Sequence, residues 1–357
     1  MAKQNLIPLL DGHNDTLLNL IEPDRGKGRS FFEESKIGHI DLPRARRGGF
    51  AGGFFAMFIP RPEPEVNDGD QSKEALLNQF LNAALEPVDH DYALSKTIAM
   101  TRLMYEIEAR AEGEVKVVTD VAALKMCIEE GVLAMIFHIE GAEAIDANLD
   151  ALYVLYEAGL RSLGIVWSRP NVFGHGVPFT FPGSPDTGPG LTEAGQLLVR
   201  TCNELGIMLD ISHLNEKGFW DVNRLSKHPV VATHCGVHAL CESPRNLTDR
   251  QMDAIKDSGG IMGINFHVGF LRADGEQNAD TPLSDLVRHI DYAVNRMGID
   301  HVALGSDFDG ATMPNELGDV AGLPKLVDQL YALGYTEADV RKIGYENWLR
   351  VLDATWR

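Results

Sequence analysis

Eight short runs rich in Ile, Val, Leu and Phe recur along the chain, at residues 6–10, 53–59, 133–139, 162–167, 207–211, 230–233, 261–266 and 302–305. Each has the length of a strand, and stretches of helical periodicity lie between them at 150–158, 192–205, 248–257 and 284–297. Strands that alternate with helices build parallel sheets, because a parallel return needs a long crossover. Eight such units predict a closed (β/α)8 barrel, with an open doubly wound sheet as the alternative. Barrels of this kind reach 357 residues as one unit. No internal repeat, low-complexity tract or linker marks a boundary, so residues 1–357 read as a single domain with a helical tail after the last strand.

Two regions depart from the repeat. Residues 60–120, after the second run, form an insertion that is first rich in Pro and acidic residues and then helical from about 72 to 111. It is expected to pack outside the barrel or to contribute to an oligomer interface. Residues 168–190 are rich in Gly and Pro and longer than an ordinary βα loop, which makes them a candidate for shaping an active site.

Charge narrows the partners. With 32 Lys plus Arg against 52 Asp plus Glu, the net charge of -20 repels nucleic-acid phosphates and anionic lipid. No apolar run approaches the roughly 20 residues of a membrane span, and the polar start at residues 1–5 leaves no room for a signal stretch before the first strand. Cys127, Cys202, Cys235 and Cys241 show no C-x-x-C spacing and are too few for a disulfide framework. A cytoplasmic protein is expected.

The polar residues that interrupt the apolar runs do so at their C-terminal ends, the rim where barrel enzymes place their sites. Asp11-Gly12-His13-Asn14-Asp15 follows the first run, Glu140 the third, Ser212-His213 the fifth, His234 the sixth and Ser306-Asp307 the eighth. In an extended segment His13 and Asp15 share a face and can aim at one ion. Glu140 ends an apolar strand, where a carboxylate is costly unless paired or metal-bound, and its two oxygens can bridge two cations. His213 and His234 end successive strands and can converge on the second ion, leaving open positions for a shared water. Singly, each residue has a bland reading: a strand-end Asp such as Asp15 or Asp307 is often a helix N-cap. His39, His90, His228, His289 and His301 are read as merely hydrogen-bonded or exposed. Five such residues at one rim favour a binuclear metal site, with zinc preferred for mixed His and carboxylate donors, although manganese and cobalt suit them too.

The D-G-H-N-D, I-E-G, D-I-S-H and D-F-D-G signatures, found in that order over nearly the whole chain, resemble the membrane dipeptidase (renal dipeptidase) family, peptidase family M19 of the amidohydrolase superfamily. The resemblance implies a (β/α)8 barrel with two zinc ions that hydrolyses dipeptides, including ones with a D-residue at the carboxyl end. It implies His13 and Asp15 on one zinc, His213 and His234 on the other, and Glu140 between them. Asp307 is similar to the family's acid/base aspartate. Arg245, in Cys241-Glu242-Ser243-Pro244-Arg245-Asn246, resembles the arginine that clamps the substrate carboxylate, a task for a planar fork of donors. Where the renal enzyme has a carbonyl-polarising histidine this chain has Trp167, and Phe270 takes the place of a tyrosine. His175, flanked by Gly174 and Gly176, is a candidate substrate-binding replacement or else an exposed loop residue. His138 is expected in the barrel interior and Cys235 as a buried thiol. Fold and metals do not select a substrate, so a hydrolase of another amide, a lactone or a β-lactam, and a non-catalytic metal-binding barrel, stay as alternatives. A homodimer is the assembly to look for.

Overall fold

A computed structural model describes residues 6–62 and 86–357. Among them are nine strands: β1 Leu9–Asn14, β2 Phe50–Phe58, β3 Val115–Val117, β4 Leu133–Glu140, β5 Leu160–Gly164, β6 Met208–Asp210, β7 Val231–Cys235, β8 Ile261–Ile264 and β9 Val302–Leu304. All pair in parallel. Eight of them close a ring in the order β1-β2-β4-β5-β6-β7-β8-β9, sealed where Asp11 of β1 pairs with Leu304 of β9. The barrel, not the open sheet, is therefore the fold. Strand β3 is no stave of it: it pairs with Leu133–Met135 at the start of β4, ahead of the point where β5 takes over at Phe137.

The expected helices form with caps where the sequence supplies them. Thr192 accepts a hydrogen bond from Gly195 N ahead of helix Glu193–Leu205, and Thr248 with Gln251 makes a capping box ahead of Asp249–Asp257. In the insertion, the described portion is helix His90–Arg110, capped by Asp89, which buries Ala93, Thr97, Met100, Met104 and Ile107 as a single stripe. That stripe packs on β2 and on the turn after β4, so the helix is an ordinary crossover of the outer ring. The earlier part of the expected helix, from about 72 to 85, lies outside the described residues. No described helix is long and apolar enough to cross a membrane.

Below the rim the barrel is packed solid. Leu10, Phe54, Ala134, Ile136, Met208, Val231, Ile261 and Ala303, drawn from seven of the staves, meet Trp348, Val351 and Leu352 of the last helix, Asn347–Asp353. Trp348 is fully buried, packs tilted against Phe54 with ring centroids 4.9 Å apart and donates from Nε1 to Leu304 O at 3.3 Å. The helical tail is thus the plug of the barrel's closed end. Trp348→Ala is expected to cost about 3–5 kcal/mol, read as a lower denaturant midpoint with metal content per folded molecule unchanged.

One irregularity bears directly on the site. A β-carbon at Gly12, Gly263 or Gly305 would overlap the carbonyl oxygen of Thr233. These three glycines, from β1, β8 and just past β9, leave room for β7 to bulge between Ala232 and Cys235. Because of the bulge, the successive side chains of Thr233 and His234 both reach the polar groups at the rim; in a regular strand they would face opposite ways.

Candidate metal centre

His13 lies within β1 and Asp15 just beyond it; Glu140 ends β4; His213 follows β6; His234 is in β7; Asp307 follows β9. All sit at the C-terminal rim. The simple capping explanation for Asp15 fails, because it stands at the N-cap of helix Thr16–Ile21 without a side-chain cap hydrogen bond. His213 and Asp307 hold left-handed backbone, at φ 68° and 64°, a strained state for a non-glycine residue that persists where surroundings enforce it. Val177 N donates to His213 O, and Asp307 N to His13 O, at 2.8 and 3.0 Å.

The donor atoms form two groups around one carboxylate. Glu140 Oε1 is 2.8 Å from His213 Nε2 and 3.4 Å from His234 Nε2, and those two nitrogens are 3.1 Å apart. Glu140 Oε2 is 3.6 Å from His13 Nε2, which is 3.7 Å from Asp15 Oδ2. Zinc bonds of about 2.0–2.1 Å in a tetrahedron place neighbouring donors about 3.3 Å apart, so both sets have the spacing of ligands around an ion. Asp307 also has a carboxylate oxygen near those of Asp15 and the ring of His13. His13 Nε2 and Asp15 Oδ1 are buried without a hydrogen-bond partner, the condition of atoms meant for a cation.

Electrostatics point the same way. Burial pushes the Glu140 carboxyl up to about 7, opposed by His13. Burial, together with the charges of Arg245 and His13, drives His213 and His234 well down, so both rings are neutral with a lone pair to offer. For His13 burial also lowers the value, but the carboxylates of Glu140 and Asp15 outweigh it and raise the ring well above its ordinary range. A cation among these groups relieves the crowding of negative charge.

A surrounding layer holds the donors in place. Ser168 Oγ lies 2.7 Å from His213 Nδ1, Thr233 Oγ1 lies 2.8 Å from His234 Nδ1, and Asn265 Nδ2 donates to Asp307 Oδ2 at 2.9 Å. Asp11 accepts from Ser306 N at 2.6 Å, tying β1 to the loop that carries Asp307. Asp309 accepts from Arg29 Nη2, Thr16 Oγ1 and His39 N at 2.8, 2.9 and 2.6 Å. Sequence reasoning assigned none of these a role. Asp11 and Asp309 stand inside the D-G-H-N-D and D-F-D-G signatures, whereas Ser168 and Asn265 lie outside all four signatures. His138 is interior as expected, with Nδ1 2.9 Å from Ser162 Oγ; burial lowers it to about 3. Cys235 is buried and free.

Arg245 is 2% exposed and donates from Nη2 to His234 O at 3.1 Å, with its guanidinium 5.3 Å from the Phe270 ring and its Nε unpartnered. Trp167 supplies an aromatic wall, 5.7 Å from the His213 ring, 5.0 Å from Phe58 and 5.3 Å from Phe179. His175 lies in the long loop. Gly176 makes an isolated bridge with Leu214, a β-carbon on it would meet Trp167 O and Ser168 Cα, and the His175 side chain lies beside Gly188. The long loop thus brings Phe179 to Trp167 at the rim.

A parallel barrel whose C-terminal rim gathers imidazoles and carboxylates in this way has the makings of a metal-dependent hydrolase. The chain belongs to the membrane dipeptidase family, peptidase family M19, whose model matches residues 2–356. Among solved structures it is similar to a metallo peptidase from Rhodobacter sphaeroides liganded with a phosphinate mimic of the dipeptide L-Ala-D-Ala, at TM-score 0.91 and 48% identity, over 99% of this chain and 100% of the other. It is equally similar to dipeptidase AC, a metallo peptidase of family M19, at TM-score 0.91 and 48% identity over 98% and 99% of the two chains. An uncharacterized Klebsiella pneumoniae protein from the pqqA 5' region is 52% identical over 255 residues, 71% of this chain and 94% of the relative.

Proposed function

We propose that this M19 metallo-dipeptidase is a binuclear zinc enzyme that hydrolyses L-Xaa-D-Xaa dipeptides. The observation that carries the reading is the division of Glu140: one oxygen toward His213 and His234, the other toward His13 and, through it, Asp15. Zinc ions held by those five residues would activate a water as nucleophile and polarise the scissile carbonyl. Asp307 takes the proton from the attacking water and delivers it to the leaving amine nitrogen. Its Oδ2 accepts from Asn265 Nδ2, which leaves Oδ1 outside that contact for the transfer. Arg245 binds the substrate's terminal carboxylate, a role supported by its buried, unpartnered Nε. The D-stereochemistry is supported by the L-Ala-D-Ala mimic held by the similar Rhodobacter enzyme. The four cysteines, all buried and free, suit a reducing cytoplasm.

Metal analysis together with a panel of L-Xaa-D-Xaa and L-Xaa-L-Xaa dipeptides tests the proposal. Two zinc ions per chain and turnover of the D-series are expected; a single ion, or turnover restricted to lactones or β-lactams, overturns it. Arg245→Ala should raise KM for a dipeptide by about 10–100-fold, since a hydrogen bond to a charged group contributes about 1.5–3 kcal/mol. An unchanged KM removes the clamp.

A further inference from the structure

Asp210 ends β6, is 1% exposed and accepts three hydrogen bonds. Its Oδ1 takes Ser212 N at 2.9 Å and Thr233 N at 2.8 Å, and its Oδ2 takes the Thr233 hydroxyl at 2.6 Å. A threonine hydroxyl has a single hydrogen. With that hydrogen committed to Asp210, Thr233 Oγ1 meets His234 Nδ1, 2.8 Å away, as an acceptor. The Ser212 hydroxyl, 3.4 Å from Thr233 Oγ1, is the other group facing this oxygen, and His138 Nε2 stands 3.7 Å from Asp210 Oδ2, beyond hydrogen-bond reach.

We infer that Asp210 is a positioning residue that acts through the Thr233 hydroxyl to hold His234 as the Nδ1–H tautomer, with the Nε2 lone pair turned toward Glu140 and His213. This rests on the proposed role of His234 as a zinc ligand. The direction of the chain follows from its end: a carboxylate only accepts, so the hydroxyl must donate to it and the imidazole must donate to the hydroxyl. His213 has a hydroxyl at the equivalent place, Ser168 Oγ at 2.7 Å; a Ser hydroxyl can donate or accept, and among the described residues no carboxylate orients this one.

Asp210→Asn makes the argument testable, because its amide can donate to Thr233 Oγ1. The hydroxyl would then donate to His234 Nδ1 and place the ring hydrogen on Nε2, where it blocks a metal. In metal-free protein with 15N-labelled histidine, His234 should show the Nδ1–H pattern in wild type and Thr233→Ser, and lose it in Asp210→Asn and Thr233→Val. Zinc titration should show one ion bound about 10–100-fold more weakly in the latter two. Adding Asp210→Asn to Thr233→Val should weaken zinc little further. If the two effects instead multiply, or if metal-free wild type shows Nε2–H, Asp210 merely braces the backbone of Ser212 and Thr233 and the inference is wrong. The tautomer is read without metal, whereas zinc binding by His234→Ala reads the ligand assignment, so either can fail alone. Should Asp210→Asn not fold, the Thr233→Val and Thr233→Ser pair still decides the tautomer.

Discussion

Glu140→Gln should abolish dipeptide turnover, by about 10³-fold or more, and should reduce bound metal below two ions per chain. Loss of Lewis-acid stabilisation removes several kcal/mol from the transition state, and each 1.36 kcal/mol is about tenfold in rate. The amide cannot present an anionic oxygen to both donor groups, so the pair His213 and His234 is separated from His13 and Asp15. Without metal the sign on stability reverses. Burial raises this carboxyl from 4.5 to about 7, so between those values the folded chain keeps a proton that the unfolded chain has released. Stability from this group therefore falls as pH rises through that window. Metal-free Glu140→Gln lacks the loss, and at pH 8 it should be the more stable of the two apoproteins, with the advantage vanishing below about pH 4.5. Denaturant unfolding of both apoproteins across pH reads this directly; an apo variant weaker than wild type at pH 8 contradicts the origin assigned to the shift.

Asp307→Asn should lower kcat by about 10²–10⁴-fold with zinc content and KM close to wild type. The substitution isolates proton transfer from geometry. Asparagine tolerates the left-handed φ of 64° that most side chains resist, and its amide oxygen can still accept from Asn265 Nδ2. What it cannot do is take a proton from water. Metal analysis and steady-state kinetics on the same preparation decide the matter: near-normal kcat removes Asp307 from acid/base work, and lost metal reassigns it as a ligand.

Both predictions concern residues visible in the sequence, and the fold was visible for a related reason. Helix ends at Thr192 and Thr248 announce themselves through local capping, which needs no distant partner. Strand β1 did not. It runs Leu9–Asn14 instead of 6–10, because its second half is polar yet buried among Phe54 O, Ser306 and Glu140, and apolar patterning cannot detect a polar residue whose partners lie far along the chain. The three-residue β3 is too short to carry a period, and the plugging role of Trp348 depends on a contact with Phe54, almost three hundred positions away.

The linear order of residues by itself determined that His13, Asp15, Glu140, His213, His234 and Asp307 would stand at one rim, since each ends an apolar run and parallel staves all end on the same side. Where each side chain points was settled only in three dimensions. The bulge at Thr233, made possible by Gly12, Gly263 and Gly305 on other segments, turns His234 toward Glu140. Such directions depend on register and close approach between segments distant in sequence, and no local preference encodes them.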